Sequence, residues 1–189
     1  FYGGAVGYLS YDLKNHTEKL PDTAVDDADI PDMYMGIYDG AIIVDNLEKK
    51  IYITDSGVRE GHDARMNNLI ILVNESLNEK LEDAFNDTLP EVKWESNFNR
   101  EDYIKAVARI KEYIRTGDVY QANMTQRFKA KLEMDPFKLY HRLRSINPAP
   151  FSAWLDYGDF QIASSSPERF LEIRDRRVET RPIKGTRPR

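Results

Sequence analysis

The sharpest constraint on the fold is a change of hydrophobic period at Gly117. From Asn99 to Thr116, apolar residues recur at three- and four-residue spacing, with Tyr103, Val107, Ile110 and Ile114 forming one stripe. Asn99 is suited to cap this helix, Asp102 places an acid in its first turn, and Gly117 supplies the stop. From Asp118 to Leu132 the period falls to two. Val119, Gln121, Asn123, Thr125 and Arg127 alternate with Tyr120, Ala122, Met124, Gln126 and Phe128. That alternation predicts a strand, and its polar face suits either water or the wall of a polar pocket. Both periods in one short stretch call for helix packed on sheet.

The remainder repeats this mixture. Phe1 to Asp12 reads as a strand whose Gly3-Gly4 pair and Gly7 permit close backbone approach. Met33 to Asp45 and Lys50 to Thr54 read as strands joined in a hairpin at Asn46 to Lys49. Arg59 to Asp83 has helical spacing through Leu69, Leu72, Val73, Ser76, Leu77 and Lys80. Phe85 to Phe98 is linker-like. Asp135-Pro136 opens another helix, as N-cap followed by Pro at the first helical position, and it runs to about Ser145. Asn147-Pro148-Ala149-Pro150 breaks it. A hairpin turns at Tyr157-Gly158, and short strands follow at Phe170 to Ile173 and Val178 to Thr180. The fold class expected is α+β, a mostly antiparallel sheet sandwich flanked by helices. Residues 1–94 and 95–189 form its two regions.

Composition narrows the function. The 189 residues carry a net charge of -5, which argues against nucleic acid as a general partner. No apolar run approaches the ~20 residues of a membrane helix. The absence of cysteine excludes disulfides and thiolate metal sites, and fits a reducing, cytoplasmic setting. The chain opens on Phe1 inside a predicted strand and stops at Arg189 inside an arginine-rich segment, so it reads as a piece of a longer protein.

Three stretches bear on chemistry. Asp22 to Asp32 is acid-rich, but lacks the central Gly and closing Glu of a calcium loop. The N-terminal glycines lack the spacing of a phosphate loop. Arg181-Pro182-Ile183-Lys184-Gly185-Thr186-Arg187 is more promising. If extended, Pro182, Lys184 and Thr186 share a face and Gly185 leaves its backbone open to a ligand. An ammonium, a hydroxyl and a backbone N–H beside guanidinium charge suit a small carboxylate-bearing anion.

The blocks GGAVGYLSYD, GDVYQANMTQRF, NPAPFSAWLDYGDFQIASSSPERFL and RPIKGTRPR, in that order, resemble the chorismate-utilising enzymes. That family includes anthranilate synthase component I, aminodeoxychorismate synthase component I, isochorismate synthase and salicylate synthase. The resemblance implies that residues 1–94 belong to the tryptophan-site region and 95–189 open the chorismate-binding catalytic region. Lys184 occupies the position at which aminodeoxychorismate synthases carry lysine and anthranilate synthases alanine. In the former branch that amine attacks C2 of chorismate as the C4 hydroxyl leaves, and ammonia then displaces it by adding at C4. An attacking amine must be neutral, while free lysine titrates near 10.4, so burial or nearby charge from Arg181 and Arg187 would have to lower that value.

Gln121 stands where the water-adding members place a basic lysine, and a glutamine amide cannot be that base. Glu168 matches the general acid for the C4 hydroxyl, a role that calls for a desolvated carboxyl. Gly185 and Thr186 match substrate contacts. Asn147, Pro148, Pro150 and Phe151 resemble part of a tryptophan pocket whose remaining element precedes Phe1. The resemblance also implies Mg2+ held by glutamates downstream of Arg189, and a glutamine amidotransferase supplying ammonia. These residues alone are therefore not expected to turn over chorismate. The competing expectations are anthranilate synthase component I and a non-catalytic module for amino-acid binding or partner docking.

Overall fold

The computed structural model describes residues 1–21, 23–78 and 91–183. The chain divides into two units, Phe1–Glu82 with Leu155–Ile162, and Asp83–Trp154 with Ala163–Arg189. The architecture is mixed helix and antiparallel sheet, as the two sequence periods require.

The first unit begins with β1 (Gly4–Leu9), a 3-10 turn (Tyr11–Leu13) and the short helix α1 (Lys14–Thr17). After an extended acidic loop come β2 (Met33–Tyr38), β3 (Gly40–Asp45), β4 (Lys50–Asp55) and the helix α2 (His62–Asn78). The single strand expected from Met33 to Asp45 is in fact two. β2 pairs back on β1, from Gly4↔Tyr38 to Leu9↔Met33, whereas β3 pairs with β4, from Gly40↔Asp55 to Asp45↔Lys50. Gly7 explains the close approach of β1 and β2. A Cβ there would run into the Tyr34 carbonyl oxygen and lie 2.9 Å from the Met35 Cα.

The helix expected from Arg59 starts later, because Gly61 takes a left-handed φ of +82° just before it. Its predicted end at Asp83 lies outside the described residues. Ion pairs seat α2 on the hairpin. Arg65 clamps Asp55 through Nε at 2.8 Å and Nη2 at 3.2 Å, and His62 Nδ1 lies 3.0 Å from the same carboxylate. Arg59 Nε pairs with Asp39 at 3.2 Å. An aromatic cluster of Tyr8, Tyr34, Tyr157 and Phe160 completes this unit, with Tyr34 and Tyr157 rings 4.3 Å apart. Burial raises the Tyr157 phenol above its ordinary value, with smaller contributions from the neighbouring tyrosines.

The second unit holds β5 (Glu95–Ser96), α3 (Arg100–Thr116), β6 (Phe128–Lys129) and α4 (Pro136–Ile146). It also holds most of β7 (Phe151–Asp156) and β8 (Gln161–Ser166), then β9 (Arg169–Arg174) and β10 (Arg177–Arg181). The ends of α3 are as the sequence requires. The Asn99 side chain accepts the Asp102 N–H at 2.8 Å, and Gly117 closes the helix at a φ of +84°. For α4, Asp135 accepts the Lys138 N–H at 2.9 Å, with Pro136 in the first turn. The two-residue connection of β9 to β10, Asp175-Arg176, has both φ angles positive, at 46° and 66°, as a type I′ hairpin demands.

The strand expected from Asp118 to Leu132 is not formed over most of that range; only Phe128–Lys129 pairs, with Glu95–Ser96. Period-two alternation makes a strand only where a neighbour accepts its hydrogen bonds. Here the partner is two residues long. Asn97 extends the pairing by one more residue, taking the Arg127 N–H on its side chain at 2.8 Å and donating its own N–H to Arg127 O. The preceding residues are left irregular, and Tyr120 is 95% exposed.

Tyr140 on α4, 8% exposed, is the one buried hydrophobic residue among the described residues. Its ring sits 5.6 Å from that of Trp154 and 6.2 Å from that of Phe137. No helix among the described residues is long and apolar enough to cross a membrane.

Candidate functional site

Three hydrogen-bonded junctions in the second unit bring together the segments singled out in the sequence. The first joins the end of α4 to the end of β8. Asn147 caps α4, donating its backbone N–H to Leu143 O at 2.8 Å. Its side-chain Nδ2 donates to Ser165 Oγ at 3.1 Å, and Ser165 Oγ donates back to the Asn147 carbonyl at 3.0 Å. Both side-chain groups are thereby committed, and the Asn-Pro-Ala-Pro segment is fixed to the strand that leads into Glu168.

The second junction is the turn between β8 and β9. The Ser166 hydroxyl donates to the Glu168 carbonyl at 3.2 Å and receives the Glu168 N–H at 3.4 Å. Pro167 fixes φ between them. This turn holds Glu168 with its side chain exposed. The third junction is made by that side chain, whose Oε1 accepts the Ile183 N–H at 2.5 Å. Glu168 thus reaches across 15 residues to the residue before Lys184.

Charge surrounds this corner. The Arg169 guanidinium lies over the Phe151 ring at 5.2 Å, while also pairing with Glu172 and, at 2.9 Å, with Glu179. Arg181 Nε pairs with Glu179 at 2.5 Å. Together Arg181 and Arg169 hold the Glu179 carboxyl below the usual range, Arg181 contributing most. Arg181, expected as a source of positive charge beside Lys184, is therefore largely offset by its own acid.

Of the residues expected at the site, Asn147, Phe151 and Glu168 are tied into these junctions, while Pro148 and Pro150 are exposed in the connection after α4. Gln121 lies in the irregular stretch after α3 and is exposed. Lys184, Gly185 and Thr186, together with Arg187, lie outside the described residues. Among the described residues no three His, Cys, Asp or Glu side chains converge to hold a metal ion. Sequence reading did not single out Ser165 or Arg169. A serine one place before a Ser-Pro-Glu turn and an arginine one place after it offered only proximity as a signal.

The family model for chorismate binding enzymes matches residues 2–189, and the chain belongs to that family. It is 39% identical over 189 residues to aminodeoxychorismate synthase component 1 of Salmonella typhimurium, covering 100% of this chain and 39% of that protein. It is 34% identical over 200 residues to anthranilate synthase component 1 of Acetivibrio thermocellus, covering 100% of this chain and 40% of that protein. The solved structure of anthranilate synthase component I from Streptococcus pneumoniae superposes with a TM-score of 0.78 at 27% identity, over 93% of this chain and 41% of that one. The chain thus spans about two-fifths of the length of the relatives it matches.

Proposed function

We propose that this chain is part of an aminodeoxychorismate synthase component I, which aminates chorismate to 4-amino-4-deoxychorismate on the route to p-aminobenzoate and folate. The observation that carries the reading is the identity of residue 184. A lysine in Pro182-Ile183-Lys184-Gly185-Thr186 provides a nucleophile that an alanine cannot. Nζ of Lys184 adds at C2 of the ring while the C4 hydroxyl departs as water, taking its proton from Glu168. Ammonia then adds at C4 and the lysine leaves from C2, so the enzyme is regenerated. Gln121 supports amination over hydration, because its amide cannot activate water. Gly185 and Thr186 would contact the substrate through backbone N–H and hydroxyl. A glutamine amidotransferase would supply ammonia in the cytoplasm. Mg2+ would be held by acidic residues outside this chain, where it would neutralise a substrate carboxylate.

Anthranilate synthase component I is the second reading, favoured by relatives of comparable identity and by the solved structure. The products separate the two. Incubated with chorismate, magnesium and ammonia, the full-length protein is expected to give 4-amino-4-deoxychorismate, convertible by a lyase to p-aminobenzoate, with a covalent adduct mass on Lys184. Lys184→Ala should abolish the adduct and lower amination at C4 at least a hundredfold, a loss of about 2.7 kcal/mol of transition-state stabilisation. Fluorescent anthranilate from the wild type, or an unchanged rate and product in the variant, would overturn the assignment.

A further inference from the structure

The connection from α4 to β7 and the turn from β8 to β9 meet at two points. Asn147, where the connection begins, is bonded to Ser165; Phe151, where it ends, lies under the Arg169 guanidinium. Between Ser165 and Arg169 stand only Ser166, Pro167 and Glu168. The segment carrying Glu168 is thus fastened at both its ends to the two ends of the Asn147–Phe151 segment.

Each fastening is specific. The Ser165 hydroxyl accepts from Asn147 Nδ2 at 3.1 Å and donates its own proton to the Asn147 carbonyl at 3.0 Å, so side chain and backbone of Asn147 are both engaged. At the other end, Arg169 sits 5.2 Å from the Phe151 ring centre, within the range at which an aromatic face attracts a cation. Glu172 and Glu179 hold that guanidinium in place, the latter at 2.9 Å.

Neither segment has much freedom to absorb a shift. Pro148 and Pro150 fix φ in the first, and the Ala149 carbonyl accepts both the N–H of Ser152, at 3.2 Å, and its hydroxyl, at 2.9 Å. In the second, Pro167 fixes φ and the Ser166 hydroxyl bonds both backbone groups of Glu168.

We propose that the Asn147–Phe151 connection is a two-point clamp on the Glu168 turn, and that Ser165 and Phe151 are positioning residues for proton transfer by Glu168. The functional half of this rests on the reading of Glu168 as the acid for the C4 hydroxyl; the clamp itself does not. An acid must lie within hydrogen-bond reach of the group it protonates, and a small displacement is costly in rate. Releasing either end frees the turn, slowing the chemistry while leaving chorismate binding largely alone.

The test uses a polypeptide of the relatives' length that contains these residues, supplied with chorismate, magnesium and ammonia. Ser165→Ala and Phe151→Leu should each lower kcat roughly tenfold with KM for chorismate within about threefold, since a misplaced acid weakens the transition state rather than binding. Ser165→Thr and Phe151→Tyr, which keep the hydroxyl and the aromatic face, should hold kcat within about threefold of wild type. In a Glu168→Gln background, followed by single-turnover product formation, Ser165→Ala and Phe151→Leu should cost less than about twofold more, because nothing is left for them to position. A comparable loss in that background too, or no loss in either single variant, would overturn the positioning role. Backbone order parameters of the Glu168 and Arg169 amides test the clamp apart from turnover. They should fall from about 0.85 toward about 0.6 in Ser165→Ala and Phe151→Leu. Unchanged order parameters in both would remove the clamp. Should Glu168→Gln prove as active as wild type, the acid reading falls and the order parameters alone judge the clamp. Should Phe151→Leu not fold, the Ser165 variants decide.

Discussion

At the scale of single residues, the strongest electrostatic feature is Asp55. Its side chain has no exposed surface, and hydrogen bonds from Arg65 first, then His62 and the Gly57 N–H, hold its carboxyl far below the usual range. An aspartate in an unfolded chain titrates at about 3.9. A folded value below that means the clamp stabilises fully above pH ~4 and is lost as pH falls toward the folded value. Asp55→Asn should therefore lower the melting temperature at pH 7 and narrow the gap to wild type near pH 3. Equal losses in both proteins between those pH values would show that the Arg65 clamp is not the source. The residue scale also shows what sequence can and cannot deliver. Lys184 stands out in the sequence because its neighbours spell a motif, and it lies outside the described residues. The pairing of Ser165 with Asn147 was not, because two ordinary polar residues 18 apart meet only once α4 and β8 are placed. The Glu168 contact was half legible: Pro182 announces a missing donor, but nothing local says which acceptor Ile183 will find.

Among the elements, the same division follows how local the determining forces are. The helix α3 is specified within its own residues, by an N-cap, an apolar stripe and a left-handed glycine, and it forms where the sequence places it. The Asn99 side chain also donates to the Asp102 carboxylate at 2.7 Å, so cap and first-turn acid hold each other. Asn99→Ala should cost about 1 kcal/mol of unfolding free energy, and Asn99→Ser only a few tenths. Chemical denaturation of the full-length protein measures both, and an Ala variant as stable as wild type would show that the cap carries nothing. The stretch after Gly117 has an equally regular pattern and fails to become a strand. Its alternation is a necessary condition, while the sufficient one, a neighbour long enough to pair with, is not local. The run from Met33 to Asp45 failed in a related way. Its strand-like composition is real, yet the pairing changes from β1–β2 to β3–β4 at Asp39-Gly40, a turn dipeptide that the apolar residues on both sides outweighed in the reading.

For the molecule as a whole, the decisive quantity is how little apolar surface these residues bury among themselves. Among the described residues, Tyr140 is the only hydrophobic side chain that is buried. Phe170 is 84% exposed and Ile173 67%, both on a two-stranded ribbon whose outer edges have no partner among the described residues. Isolated ribbons of two strands are marginal in water, and every sheet among the described residues has only two strands. The hydrophobic driving force is proportional to area removed from water, so this surface favours association with any apolar face that fits it. A polypeptide of residues 1–189 is therefore expected to bind an apolar-surface dye and to sediment as larger species at rising concentration. A longer polypeptide of the relatives' length that contains these residues should bind little dye at the same molar concentration if its added residues cover the strand faces and edges. A dye-silent, monomeric 1–189 would mean that these residues bury their own apolar surface in solution, and the expectation would fail. Equal dye binding by both would place the cover elsewhere, on a partner chain rather than on the same polypeptide.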